Sequence, residues 1–527
     1  MDISQMLAAH VEARDLASAL LARLTEVRAR ALADAEITLA GWRPNVARAA
    51  FIPSVENLAL YLALRKLDLT DEQEALTELG LSSLGRAESH VLATLDAVIA
   101  ALEALAGAAP MAGKVSRRFG RSARRIEDRR DAVFGRDPRH RTTRILITLP
   151  SEAAQNPGLV EGLIDAGASA VRINCAHDGP EAWAAMITHT RAAEVAAARR
   201  IPVYMDLAGP KVRTKKVTMP KAWLNREKKK KRTDLKKSRR ARDAAGPRLM
   251  RGDRLVLCEK TRGEAKRVEC TLSHPSLIDA LKPGATVYFD DGKLGAKVLR
   301  VSNRRAELEI VHAKAKGARL KPQKGVNLPG VEIDIPALTK ADLASLDFAV
   351  GRADMIGYSF VQTARDVRAI QDAIVERLPK GRQMPTLVLK VETDLALHNL
   401  PRLIVQAGAH GPLAVMIARG DLAVEIGLER LSEVQEEILW LCEAAEVPVI
   451  WATQVLENLS KQGAATRAEA TDAAMAQRAE CVMLNKGPYA REAIAFLARV
   501  GRRMDRHQAK KTPRLAPLRA WREPQRL

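Results

Sequence analysis

Eight short apolar runs of strand length, split three and five around a long interruption, constrain this chain more than any other feature. The first three are Ile145–Leu149, Ala170–Asn174 and Pro202–Asp206. The later five are Asp354–Tyr358, Thr386–Val391, Ala414–Ala418, Val447–Ala452 and Cys481–Leu484. Helical patterns such as Leu159–Ala166 separate them, and Thr339-Lys340-Ala341-Asp342 reads as a capped helix start. Strand and helix alternating in this way call for a parallel sheet covered by crossover helices, and eight repeats close it into a (β/α)8 TIM barrel of the α/β class.

The interruption has a different texture. From residue 214 to 331 the pattern is β alternation with turn signals, as in Asp253–Leu257, Thr286–Gly292 and Ala306–Ile310. An inserted all-β lid domain is the expectation, dividing the barrel into residues 144–213 and 332–504. Ahead of the barrel, residues 1–110 repeat apolar positions near a 3.6 period (Leu16-Leu20-Leu24, Leu58-Tyr61-Leu62, Val91-Leu95-Val98-Leu102) and read as a helical domain. Residues 111–143 read as a basic linker, helical in part, that packs on acidic surface or stays solvated, and 505–527 as a basic tail.

Charge matters here by its location. The net charge is +22, and a Lys/Arg-rich loop at 226–242 carries eleven basic and two acidic residues. Such a run is expected to be solvated, and without interleaved aromatics it offers no stacking platform for bases, so no specific nucleic-acid partner is expected. Five cysteines lie scattered without CxxC spacing, which argues against a disulfide framework and for a reducing, cytoplasmic setting. The first residues lack a signal-peptide pattern, and no apolar run is read as spanning a membrane.

Barrel enzymes build their sites at the C-terminal ends of strands, where several of these runs break into charge. Lys390-Val391-Glu392 ends one strand and Ala418-Arg419-Gly420-Asp421 another, while Arg172, Asn174 and Asp206 close the second and third. Glu392 and Asp421 together suit Mg²⁺, with Mn²⁺ as a substitute, leaving positions free for water and phosphate. Lys390 beside them adds a second cation, a combination that suits a transferring phosphoryl group or an enolate.

These motifs, in this order, resemble the pyruvate kinase family. The resemblance spans about Arg144 to Met504. It is carried by Val171-Arg172-Ile173-Asn174 with His177, Asp206-Leu207-Ala208-Gly209-Pro210-Lys211-Val212-Arg213-Thr214, Lys324-Gly325-Val326-Asn327-Leu328-Pro329-Gly330 and Ser359-Phe360. Lys390-Val391-Glu392, Ala418-Arg419-Gly420-Asp421-Leu422, Ala452-Thr453-Gln454-Val455-Leu456-Glu457 and Thr466-Arg467-Ala468-Glu469 complete it. It implies transfer of a phosphoryl group from phosphoenolpyruvate to ADP, giving pyruvate and ATP. Lys390, Thr453 and Arg172 would then be catalytic, and Arg172, Ser359, Lys390, Gly420, Asp421 and Thr453 would bind substrate. Asn174, His177, Arg213 and Lys324 would meet the nucleotide, and Glu392 and Asp421 the metal. The last motif resembles a segment near subunit contacts, so a homo-oligomer is expected.

Departures from the family pattern carry their own expectations. In the monovalent-cation region Asn174 and Asp206 are present, Ala176 and Leu207 replace two hydroxyl ligands, and Lys211 replaces a glutamate. Activity without K⁺, with the Lys211 ammonium in its place, is the expectation. Thr148-Leu149-Pro150-Ser151 and Asn485-Lys486-Gly487-Pro488 depart near the nucleotide, and the chain stops where a regulatory domain would begin, so activation through that domain is expected to be absent. A pyruvate-enolate lyase or decarboxylase on the same barrel is the alternative enzyme, and a non-catalytic polyanion-binding protein the alternative outside enzymes.

Overall fold

A computed structural model describes residues 3–107, 119–137, 141–220, 246–262, 267–331, 338–510 and 512–513. The basic loop at 226–242 and nearly all of the tail beyond 510 lie outside the described residues. Eight parallel strands form a closed barrel: β1 Arg144–Thr148, β2 Ala170–Asn174, β3 Val203–Asp206, β4 Met355–Tyr358, β5 Thr386–Val391, β6 Leu413–Ala418, β7 Val449–Ala452 and β8 Cys481–Leu484. Each pairs with its sequence neighbours, and β1 closes on β8 with Arg144 opposite Cys481. The (β/α)8 expectation holds.

Period-two alternation then decides which side chains face inward. Leu146, Ala170, Tyr204, Met355, Val388, Met416, Ile450 and Met483 fill the barrel interior as one buried cluster. Residues of the same parity further along each strand are Thr148, Arg172, Asp206, Gly357, Lys390 and Ala418, so the charged ends of β2, β3 and β5 point to the mouth. Gly357 is required there: a Cβ would stand 2.1 Å from the Tyr204 hydroxyl and 2.6 Å from Asp206 Oδ1.

The insert is a seven-stranded sheet with its own buried core around Leu255, Val287, Phe289, Leu308 and Ile310. One helical turn, Leu277–Ala280, interrupts its β character. Strand Val326–Asn327 closes the sheet's edge beside the return to the barrel.

The N-terminal helical region is built on α1 Ile3–Trp42, α2 Ile52–Leu64, α3 Thr70–Glu78 and α4 Val91–Ala106. Their apolar faces merge with the barrel helices in one continuous buried cluster. Glu88–Ala106 is long and apolar enough to cross a membrane by length and composition. It packs as a core helix, with Val91, Leu95, Val98 and Leu102 buried beside residues of α1.

The stretch expected to be a basic linker contains a helix, α5 Phe119–Phe134, with a structural task. Val133 and Phe134 at its end join the interior cluster and close the barrel floor. Arg125 and Arg129 on α5 reach Glu446, which is wholly buried in the loop before β7 and also accepts from Ser54 Oγ at 2.7 Å. Arginine density here serves docking on buried acid rather than solvation.

Candidate active site

Lys390 is the centre of the mouth. Its ammonium lies 2.5 Å from Ser359 Oγ, 3.1 Å from Glu392 Oε1 and 3.4 Å from Asp206 Oδ1, almost out of water. Burial alone would lower its pKa, but Asp206 and Glu392 raise it above the ordinary lysine value, so it is held charged. Asp206, 1% exposed, takes two bonds on Oδ2 from Arg172 (2.8 and 2.6 Å) and one on Oδ1 from the Tyr204 hydroxyl (3.1 Å). Burial works against its charge, yet Lys390 and Arg172 hold its carboxyl below the usual range. Arg172 Nη1 also donates to Thr148 Oγ1 at 3.1 Å, so β1, β2, β3 and β5 are cross-linked by one polar network.

Glu392 behaves differently. Its Oε2 accepts the Phe360 backbone N–H at 2.6 Å, but burial first and the nearby Asp421 charge second leave its carboxyl pKa raised. Asp421, in the first turn of the helix Arg419–Ile426, accepts from Lys211 Nζ at 2.6 Å. The two carboxylates, each beside a lysine ammonium, form a donor set that fits a divalent cation. Among the described residues no group of three or more His, Cys, Asp or Glu is placed to hold a metal, so such an ion would draw its other oxygens from substrate and water.

Backbone strain gathers at the same mouth. Phe360 has φ +59°, and the turn after β7 places Thr453 at +66°, Gln454 at +59° and Leu456 at +49°. A β-branched residue in the left-handed region is a costly arrangement that persists only where neighbours hold it. Here Arg419 donates to the carbonyl of Thr453 at 2.7 Å while paired with Asp472, and Thr453 Oγ1 accepts the Gly420 N–H at 2.8 Å.

A family profile described as pyruvate kinase, barrel domain, matches residues 140–245 and 230–494. The chain belongs to the pyruvate kinase family. Pyruvate kinase 1 of Trypanosoma brucei brucei is 30% identical over 380 residues, covering 70% of this chain and 68% of its own. The pyruvate kinase of Methylorubrum extorquens is 33% identical over 376 residues, 70% of each chain. That of Geobacillus stearothermophilus is 29% identical over 373 residues, 69% of this chain and 57% of its own. Helices α1–α5 precede the matched residues.

Against the family expectation, the structure brings Arg172, Ser359, Lys390, Glu392, Asp206, Asp421, Gly420 and Thr453 to one end of the barrel through the contacts above. The remaining residues are placed less centrally. Asn174 ends β2 and uses Oδ1 on the Ala176 N–H, and His177 is exposed in the next turn. Arg213 and Lys324 lie at the two crossings into the lid: Arg213 bridges Gly325, and Lys324 Nζ pairs with Asp290 at 2.9 Å. Lys211 Nζ bonds Asp421 Oδ1 at 2.6 Å, with Asp291 at 3.8 Å and the Phe360 ring centroid 5.8 Å away.

Residues that sequence reasoning passed over include Tyr204, Arg419, Asp472, Asn327 and Glu425. Asn327 Nδ2 of the lid donates to Glu425 Oε1 of the barrel at 3.4 Å, and burial pushes the Glu425 pKa up to about 7. Inward parity would have found Tyr204. Arg419 and Asn327 stand inside quoted motifs without a role of their own, and no local signal marks Asp472 or Glu425.

Proposed function

We propose that this chain transfers a phosphoryl group from phosphoenolpyruvate to ADP. One observation carries the reading: a charged, buried Lys390 stands between Asp206, Glu392 and Ser359, beside the metal-competent pair Glu392 and Asp421. In that position Lys390 offsets the negative charge that grows on the bridging oxygen as the phosphoryl leaves and the enolate forms. Arg172, held by Asp206 and Thr148, presents a guanidinium suited to a phosphate or carboxylate. A divalent ion, Mg²⁺ with Mn²⁺ as substitute, would be held by Glu392 and Asp421 and would neutralise phosphoryl charge.

The helix opening at Arg419-Gly420 offers amides to the substrate carboxylate once Thr453 Oγ1 gives up the Gly420 N–H. That exchange would leave the Thr453 hydroxyl free beside the enolate, where it helps protonation. Lys324 exchanges Asp290 for nucleotide phosphate on lid closure.

Activity without K⁺ is part of this reading, supported by Ala176 and Leu207 in place of hydroxyl ligands and by the extra cation Lys211. A homo-oligomer in a reducing, cytoplasmic compartment fits the five free cysteines and the exposed run from Lys461 to Ala468.

The test is ATP formation from phosphoenolpyruvate and ADP with Mg²⁺, in Na⁺ and K⁺ buffers of equal ionic strength. Turnover in Na⁺ that falls at least about a hundredfold in Lys390→Ala is expected. A tenfold or greater rise with K⁺ would remove the K⁺-independent part. Absence of ATP with Mg²⁺-dependent exchange of pyruvate methyl protons would move the assignment to enolate chemistry alone.

A further inference from the structure

At the end of the barrel opposite the mouth, where the helical domain and α5 meet the strand starts, lies a cavity of about 580 Å³. That volume falls within the range of small-molecule sites, and domain junctions are where such sites form. Arg48, Arg129, Arg200 and Arg382 line it together with the apolar Phe51 and Met384. Its charge is unbalanced in a way that a resting surface patch is not.

Each of its two acidic neighbours is already shared. Glu446 serves Arg125 and Arg129, and Asp354 serves Arg191 and Arg200. Arg48 spends its guanidinium on the carbonyls of Gly408 and Gly411, and among the described residues no carboxylate is within ion-pair distance of it or of the exposed Arg382. Four guanidiniums thus divide two carboxylates, and of the four that line the cavity Arg48 and Arg382 have no carboxylate partner among the described residues. Burial lowers the pKa of both Arg48 and Arg129, and Arg48 lowers that of Arg129 further by repulsion. The cluster is held in place by docking contacts.

We infer that this cavity binds a small phosphorylated metabolite carrying an apolar or planar body, its phosphate among the arginines and its body against the half-buried Met384 and Pro412. Guanidiniums suit phosphate through paired N–H donors, and Met384 and Pro412 give the rest of the ligand an apolar wall. The helical domain and α5 complete the cavity, and both precede the residues that match the family. Because strand starts line it, its occupant does not compete with substrate at the strand ends.

Phenyl phosphate, inorganic phosphate and phenol titrated calorimetrically into the full chain test the assignment. Phenyl phosphate should bind at least about tenfold more tightly than inorganic phosphate, and phenol should not bind. Arg382→Glu, an exposed position outside the catalytic machinery, should weaken phenyl phosphate at least tenfold and leave basal turnover unchanged. Arg48→Met should weaken it similarly, and Arg382→Glu alone decides the matter if Arg48→Met fails to fold. No binding of phenyl phosphate, or binding unaltered by Arg382→Glu, overturns the proposal.

Discussion

Lys211 Nζ stands 2.6 Å from Asp421 Oδ1, so a lysine occupies one of the two carboxylates best placed to hold a metal. Both side chains are mostly shielded, at 18% exposure each, so the pair is worth more than a surface contact. A divalent ion at Asp421 would be opposed by the charge of that ammonium. Lys211→Met should therefore tighten Mn²⁺ binding without substrate, by about 1–2 kcal/mol or roughly tenfold. Electron paramagnetic resonance titration measures it, and weaker Mn²⁺ binding would show that Lys211 organises the site instead of competing for it.

Thr453 separates a hydroxyl from a shape. Its φ of +66° strains a β-branched residue, while its Oγ1 satisfies the Gly420 N–H. Thr453→Ser keeps the acceptor and removes the branch, so stability should be equal or slightly higher. Thr453→Val keeps the branch and orphans the amide, which should cost about 1–3 kcal/mol and reduce turnover. Urea midpoints of the two variants give the comparison, and equal midpoints would contradict it.

The lid contact has a pH signature. Burial raises the Glu425 pKa from an ordinary 4.5 to about 7, with Asp421 and Asp394 adding to it and Asn327 pulling it down. An acid whose folded pKa is raised stabilises the fold while protonated. Its contribution is fully present below the unfolded pKa near 4.5 and is lost as pH rises through about 7. Metal-free protein should lose stability on the order of 2 kcal/mol over that window, and Glu425→Gln should flatten the slope. Thermal melts from pH 4.5 to 8 with EDTA would test both.

Docking of the helical domain depends on Gly408, where a Cβ would lie 2.1 Å from the Phe51 ring. Gly408→Ala should force that ring out and cost about 1–3 kcal/mol. Hydrogen exchange should speed up in α1 and α2 and stay unchanged in β5. Glu446→Gln, which strands Arg125 and Arg129 beside a buried neutral group, should be costlier, at about 3–5 kcal/mol.

Eight strand runs, the β insert and the charged strand ends are local patterns, so the barrel and the identities of Lys390, Glu392, Asp421 and Arg172 were legible from the chain alone. Period-two alternation even determined that Arg172, Asp206 and Lys390 share the inward face, since parity is a property of the strand. Pairing across elements was not legible. That Lys211 bonds Asp421, that Arg419, paired with Asp472, holds the Thr453 carbonyl, and that α5 closes the barrel floor depend on contacts between residues tens to hundreds of positions apart. Their energy comes from burial and charge neutralisation after the strands have closed, and neither quantity has a local trace in sequence. The arginines of α5 illustrate the division: their composition marks charge, and only the buried Glu446 beneath them turns that charge into a dock.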